Sequence, residues 1–99
     1  MEITVTGKHF DVTDGIRDYT AQRLEKITRY FDGASKAEVI LDKDEPSQYG
    51  VEIIVHVPQR DPVIAVDRGD DLYKSIDLAT DKAARQVHDH KEKTRSHKG

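Results

Sequence analysis

Ala37-Glu38-Val39-Ile40-Leu41-Asp42-Lys43-Asp44-Glu45-Pro46-Ser47-Gln48-Tyr49-Gly50-Val51-Glu52-Ile53-Ile54-Val55-His56-Val57 is the stretch on which the fold turns. Ala37, Val39 and Leu41 alternate with Glu38, Ile40 and Asp42, the period of a strand with one buried face. Asp44-Glu45-Pro46-Ser47 reads as a turn. Val51 to Val57 is rich in β-branched residues and forms a second strand of the same hairpin. Upstream, Glu2-Ile3-Thr4-Val5-Thr6 alternates in the same way. Between these strands the spacing changes: Ile16, Tyr19, Leu24, Ile27 and Phe31 recur at helical intervals, with Thr13-Asp14 as the cap and an end near Gly33. Downstream, Pro58 to Pro62 connects to a strand over Val63-Ile64-Ala65-Val66. Gly69-Asp70-Asp71 then caps a long helix whose apolar stripe is Leu72, Ile76, Ala79, Ala83 and Val87.

The order β-α-β-β-β-α specifies an α+β fold, a two-layer sandwich with a four-stranded mixed sheet. The crossover after the first strand favours a parallel pairing, and the short turns favour hairpins. Both helices bury their stripes on one sheet face, because the other face carries mainly polar residues: Thr4, Glu38, Asp42, Glu52 and His56. Ala79 and Ala83 allow close packing of the last helix. The stripe stops at about Val87, so residues 88–99 are expected to be a solvated, fraying basic helix end or tail. Residues 1–99 read as a single domain, with no repeat or linker.

The 99 residues contain no cysteine, which excludes disulfides, CxxC chemistry, a zinc ribbon and a thiol nucleophile. No apolar run is long enough to span a membrane, and Met1-Glu2-Ile3 does not open a signal peptide, so a soluble cytoplasmic protein is expected. There is no P-loop, GxGxxG, GxSxG, HExxH or EF-hand loop. The carboxylates fall at turn and surface positions rather than in an apolar pocket, so an enzyme is not expected, nor is a cofactor. His88, His90 and Glu92 fall together on the last helix. They satisfy ligand spacing only in part and imply no more than an adventitious metal ion. His9 and His56 read as lone polar side chains.

The formal charge of −3 divides unevenly. Residues 1–81 carry a net −7 and residues 82–99 a net +4. On the first helix Arg23, Lys26 and Arg29 recur every three residues; on the last, Lys82, Arg85 and Lys91 run beside the apolar stripe. Helices packed side by side would merge these rows into one basic groove, with Asp14, Asp18, Asp70, Asp71 and Asp77 at the opposite ends. Such a groove suits an RNA backbone, because phosphate contacts gain affinity by counterion release. Two solvated helix faces with ordinary salt pairs are the alternative. With aromatics at 6% and only Tyr49 on the strands, the sheet is no RNA-recognition-motif platform. A general duplex-RNA binder, or a protein-interaction module using the open sheet face with Ile40 and Ile54, are further readings.

Residues Asp70-Asp71-Leu72-Tyr73-Lys74-Ser75-Ile76-Asp77, continuing through Asp81-Lys82-Ala83-Ala84-Arg85-Gln86-Val87 to Lys91, resemble the last helix of the ribosome hibernation promoting factor family. That family includes the ribosome-associated inhibitor called protein Y. Ile3-Thr4-Val5-Thr6-Gly7-Lys8, Val12-Thr13 and Arg23-Leu24-x-Lys26 resemble its first strand and helix, so the resemblance spans essentially the whole chain. It implies a fold similar to the double-stranded RNA-binding domain. It also implies binding in the decoding channel of the small ribosomal subunit, over the messenger and transfer RNA sites, blocking translation in stationary phase. Carried over by resemblance as contacts to ribosomal RNA phosphates are Arg23, Lys26, Arg29, Lys82, Arg85 and Lys91, with Lys8 and Lys93 as weaker candidates. Asp71 and Tyr73 are expected to set the helix start and its packing. The short stretch after the last helix resembles the short, pairing-promoting form, which acts with ribosome modulation factor. The alternative is a protein Y-like inhibitor that silences single ribosomes and opposes pairing. The free protein is expected to be a monomer with no membrane partner.

Overall fold

A computed structural model describes residues 1–30, 34–45 and 48–96, with side chains at all of these except 28–30, 45 and 90–96. The elements are β1 (Glu2–Lys8), α1 (Asp14–Tyr30), β2 (Lys36–Glu45), β3 (Gln48–His56), β4 (Val63–Gly69) and α2 (Leu72–Ser96). The sheet runs in the order β1-β2-β3-β4, with β1 parallel to β2 and the other pairs antiparallel. Alternation fixes which side is buried: Val5, Ala37, Val39, Leu41, Val51, Ile53, Val55, Val63 and Ala65 all turn toward the helices. Leu24 and Ile27 from α1 and Leu72, Ile76, Ala79, Ala83 and Val87 from α2 close the core over them. The expected α+β two-layer sandwich is therefore the observed one.

Local chemistry sets the ends. The Ile16 N–H donates to Thr13 Oγ1 at 3.1 Å, capping α1, and the Lys74 N–H donates to Asp71 Oδ1 at 3.2 Å, capping α2. Gly7 is required by a close approach, since a Cβ there would lie 2.4 Å from the Phe10 carbonyl oxygen. His9, at φ 66°, turns the chain back over that glycine.

The structure departs from the sequence reading at several boundaries. β3 begins at Gln48 and β4 runs on to Gly69, because Tyr49 pairs with Gly69 and Gly50 with Arg68. Asp44 and Glu45, read as turn, belong to β2, with a register shift between Lys43 and Glu45; Pro46 and Ser47 lie outside the described residues, as do Phe31 and Gly33. The backbone of α2 stays helical to Ser96, past the end of its apolar stripe. Thr20 and Thr80 are fully buried although polar; each hydroxyl donates 2.7 Å to the carbonyl four residues back, at Ile16 and Ile76.

Both edge strands are blunted by helix side chains. At β4 the Val66 carbonyl accepts from Lys82 Nζ at 2.9 Å and the Ile64 carbonyl from Gln86 Nε2 at 3.1 Å. At β1 the Val5 carbonyl accepts from Arg17 at 3.1 Å. Free carbonyls on an edge invite pairing with another chain, and these three are occupied.

Candidate nucleic-acid interface

The two helices run parallel, and one seam joins them. Tyr19 donates its hydroxyl to Asp77 Oδ1 at 2.7 Å; Arg23 Nε lies 2.8 Å from the same oxygen; Lys26 Nζ reaches Asp81 Oδ1 at 2.8 Å. Positions 19, 23 and 26 step along α1 as 77 and 81 step along α2, so each α1 side chain meets an α2 carboxylate in turn. The Arg23 Nε–H is not aimed along its contact and finds no acceptor, making that pair a charge contact rather than a hydrogen bond. The bond to Asp77 is the main reason the Tyr19 phenol is held above its ordinary pKa; removal from water and the nearby carboxylate charge add to it.

At the C-terminal end of the seam Lys26, Asp81, Ala84, Arg85 and His88 line a cleft of about 340 Å³. Arg85 is exposed and makes no hydrogen bond or ion pair with any described residue. Asp14, Asp18, Asp70 and Asp71 stand at the other end, where both helices begin. The seam is thus polarised as the sequence suggests, with one correction. Asp77 does not stand with the acidic ends. It lies inside the seam with Asp81, and together they offset much of the charge of Arg23 and Lys26.

The predicted basic positions divide accordingly. Arg23, Lys26 and Arg85 come together at the seam. Lys82 does not join them: it turns to the far flank of α2, where it caps β4 and pairs with Asp67 at 3.1 Å. The physical reason is rotation, since a step of three residues from Lys82 to Arg85 turns about 60° short of a full circle. Lys8 projects from the opposite, open face of the sheet, near Asp42, Gly50 and Arg68. The side chains of Arg29, Lys91 and Lys93 lie outside the described ones, as do those of His90 and Glu92.

Sequence reasoning missed three members of the seam: Tyr19 as a hydrogen-bond donor, and Asp77 and Asp81 as partners. Their spacing of four, matched to the spacing of three between Arg23 and Lys26, was the available signal. Nor are His9 and His56 lone residues. His9 Nδ1 lies 3.0 Å from Asp42 Oδ1 and His56 Nε2 lies 2.8 Å from Glu38 Oε2. These bonds are the first cause holding the Asp42 and Glu38 carboxyls below their ordinary pKa. Among the described residues His9, Asp42 and Asp44 bring one ligand atom each within 4.8 Å, but Asp42 is held by His9 and Asp44 by Arg68.

The family model for the Sigma 54 modulation protein / S30EA ribosomal protein, S30AE, matches residues 3–95. The chain belongs to the S30AE family. Among relatives, it is 36% identical over 93 residues to a ribosome hibernation promoting factor of Azotobacter vinelandii, covering 94% of this chain and 85% of that one. It is 31% identical over 97 residues to the Escherichia coli protein of the same name, covering 98% and 100%. Among solved structures, the N-terminal domain of Thermus thermophilus protein Y superposes with a TM-score of 0.83 at 34% identity, covering 91% of this chain and 99% of that one. The resemblance seen in the α2 residues is thus shown as family membership, in a family of ribosome-associated hibernation factors rather than enzymes. These matches support the sandwich itself and do not bear on a likeness to the double-stranded RNA-binding domain. In this S30AE chain the helix carrying the resemblance also supplies one side of the seam. No helix among the described residues is long and apolar enough to cross a membrane.

Proposed function

We propose that this S30AE chain silences idle ribosomes by laying the α1–α2 seam against ribosomal RNA in the decoding channel of the small subunit. There it would exclude messenger and transfer RNA. The observation that supports this most is the polarised seam, with Arg23 and Lys26 along it, Arg85, which has no partner among the described residues, at its C-terminal end, and acidic side chains at the other end. Arg85 has no competing partner to give up among the described residues, so it is the primary phosphate ligand. Arg23 and Lys26 exchange part of their contact with Asp77 and Asp81 for phosphate. Arg29, Lys91 and Lys93 remain further candidates by resemblance alone, while Lys82 and Lys8 serve from the flank and the far face. The protein acts as a cytoplasmic monomer in stationary phase, without catalysis, and promotes pairing of ribosomes together with ribosome modulation factor. The alternative role, silencing single ribosomes and opposing pairing in the manner of protein Y, uses the same core.

Sedimentation with ribosomes through sucrose gradients over a range of salt tests this directly. Co-migration with the small subunit, lost as salt rises, is the expected result. Paired ribosomes that appear only with ribosome modulation factor select the pairing role, and dispersal of pairs selects the alternative. Protein that remains at the top of the gradient at low salt overturns the proposal. A second reading draws on the open sheet face, where Ile64 and Val66 are 51% and 47% exposed. Ribosome binding insensitive to salt and to Arg85 would favour that protein-contact face instead.

A further inference from the structure

Tyr73 stands out from the remaining surface. It lies in the first turn of α2, is 46% exposed, and yet is held in place. Its ring meets that of Tyr19 edge to face, with centroids 4.9 Å apart and planes at 85°. Tyr19 is itself fixed by its hydrogen bond to Asp77, the carboxylate that also holds Arg23. One carboxylate therefore organises an aromatic pair and a guanidinium at the same place on the seam. Tyr73 precedes Asp77 by four residues, about 6 Å along the helix axis. Through Tyr19 and Asp77 the exposed ring and the Arg23 cation are brought to neighbouring places on the seam, an arrangement that suits the base and the phosphate of a single nucleotide.

We infer that Tyr73 is a stacking platform for one unpaired RNA base whose adjoining phosphate is held by Arg23. The inference rests on the RNA-binding reading of the seam and sharpens it. Phosphate contacts alone do not distinguish duplex from single strand, whereas a ring face can be used only by a base that is not already stacked in a helix. The preferred ligand is then RNA with a splayed or single-stranded nucleotide where Tyr73 and Arg23 flank Asp77 on the seam. The cations toward Arg85 follow the backbone onward. Pre-organisation is what distinguishes Tyr73 from a surface tyrosine: its ring is already positioned by Tyr19 before RNA arrives.

The full-length chain carrying Tyr73→Ala, Tyr73→Leu, Tyr73→Phe or Tyr73→Trp tests this against purified small subunits and a short single-stranded RNA with 2-aminopurine in place of one base. Loss of one stacked base predicts affinity weakened roughly 5- to 150-fold for alanine and leucine, at constant salt, with phenylalanine and tryptophan retaining it. The slope of affinity against salt should not change, because no phosphate contact is removed, and 2-aminopurine emission should be quenched by wild type but not by Tyr73→Ala. Leucine binding as well as tyrosine would overturn the stacking role, since it keeps apolar bulk without a ring. Arg85→Glu separates the two claims. If it lowers the salt slope while Tyr73→Ala does nothing, the seam reading stands and the stacking platform falls. If neither changes binding, the seam reading falls as well.

Discussion

Replacing Lys82 by methionine removes an ammonium group while keeping most of the aliphatic stem, and it tests whether that side chain belongs to the fold. Lys82 Nζ donates to the Val66 carbonyl at 2.9 Å and to Asp67 at 3.1 Å. A charge-assisted hydrogen bond contributes about 1.5–3 kcal/mol when shielded, but Lys82 is roughly half exposed, which reduces the expected loss to about 1 kcal/mol. For a chain of this size that lowers the melting temperature by about 4–8 °C. Gln86→Met removes a neutral bond to the Ile64 carbonyl and should cost about 0.5–1 kcal/mol. Arg85→Met, one turn away without a described partner, should stay within about 0.5 kcal/mol of wild type. Urea denaturation with thermal melts gives all three values. An unchanged midpoint for Lys82→Met would refute the edge-capping role. A loss of ribosome binding in that variant would then be attributable to RNA contact alone. If the cap is real, the variant should also self-associate more readily, because β4 regains a free carbonyl beside the exposed Ile64 and Val66 side chains.

Other outcomes follow from the same geometry. Gly7→Ala sets a methyl 2.4 Å from the Phe10 carbonyl and 2.9 Å from Val12 Cγ2, and should cost about 1–3 kcal/mol by denaturant unfolding. Tyr19 has a raised pKa, so its contribution to stability is complete below the ordinary phenol range and is lost as pH rises through the folded-state value. Tyr19→Phe should flatten the alkaline limb of stability against pH, and ultraviolet titration of the phenolate supplies the check. Glu38 behaves in the opposite sense. Its depressed pKa gives stability present above the ordinary carboxyl value and lost as pH falls through the folded-state value, so Glu38→Gln should weaken the acid limb, with His56→Ala acting through the same bond. For ribosome binding, Arg85→Glu should lower the slope of log affinity against log salt by at least about one, measured by gradient or filter binding.

The architecture was legible because burial on a sheet and on a helix leaves different periods in the chain. Val39, Leu41, Ile53 and Val55 report the first, and Ile76, Ala79, Ala83 and Val87 the second. Where polar residues do structural work the pattern is silent. Thr20 and Thr80 enter the core by bonding their own helix, and β4 continues through Asp67 and Arg68 by ladder pairing, with their side chains paired to Lys82 and Asp44. For the site, the spacing of Arg23, Lys26 and Arg85 revealed a cationic strip, but charge is read without direction from a sequence. Lys82 and Arg85 are three residues apart and do different things, because one faces a sheet edge and the other a cleft. Asp77 was assigned to an acidic end since its partners lie 58 and 54 positions away in the chain, and only the packing of α1 on α2 joins them.

The two capped carbonyls of β4 also act as a vernier. Ile64 and Val66 are two residues apart on a strand, about 7 Å, and Gln86 and Lys82 are four apart on a helix, about 6 Å, so two rulers of different pitch coincide at both marks. Inserting one residue between Gly69 and Leu72 would rotate α2 by about 100° relative to the strand, or else force the extra residue into the loop. The first outcome loses both marks together with the Ala79 and Ala83 contacts. The span from Val66 to Lys82 is therefore held fixed in length, and family members should align across it without gaps.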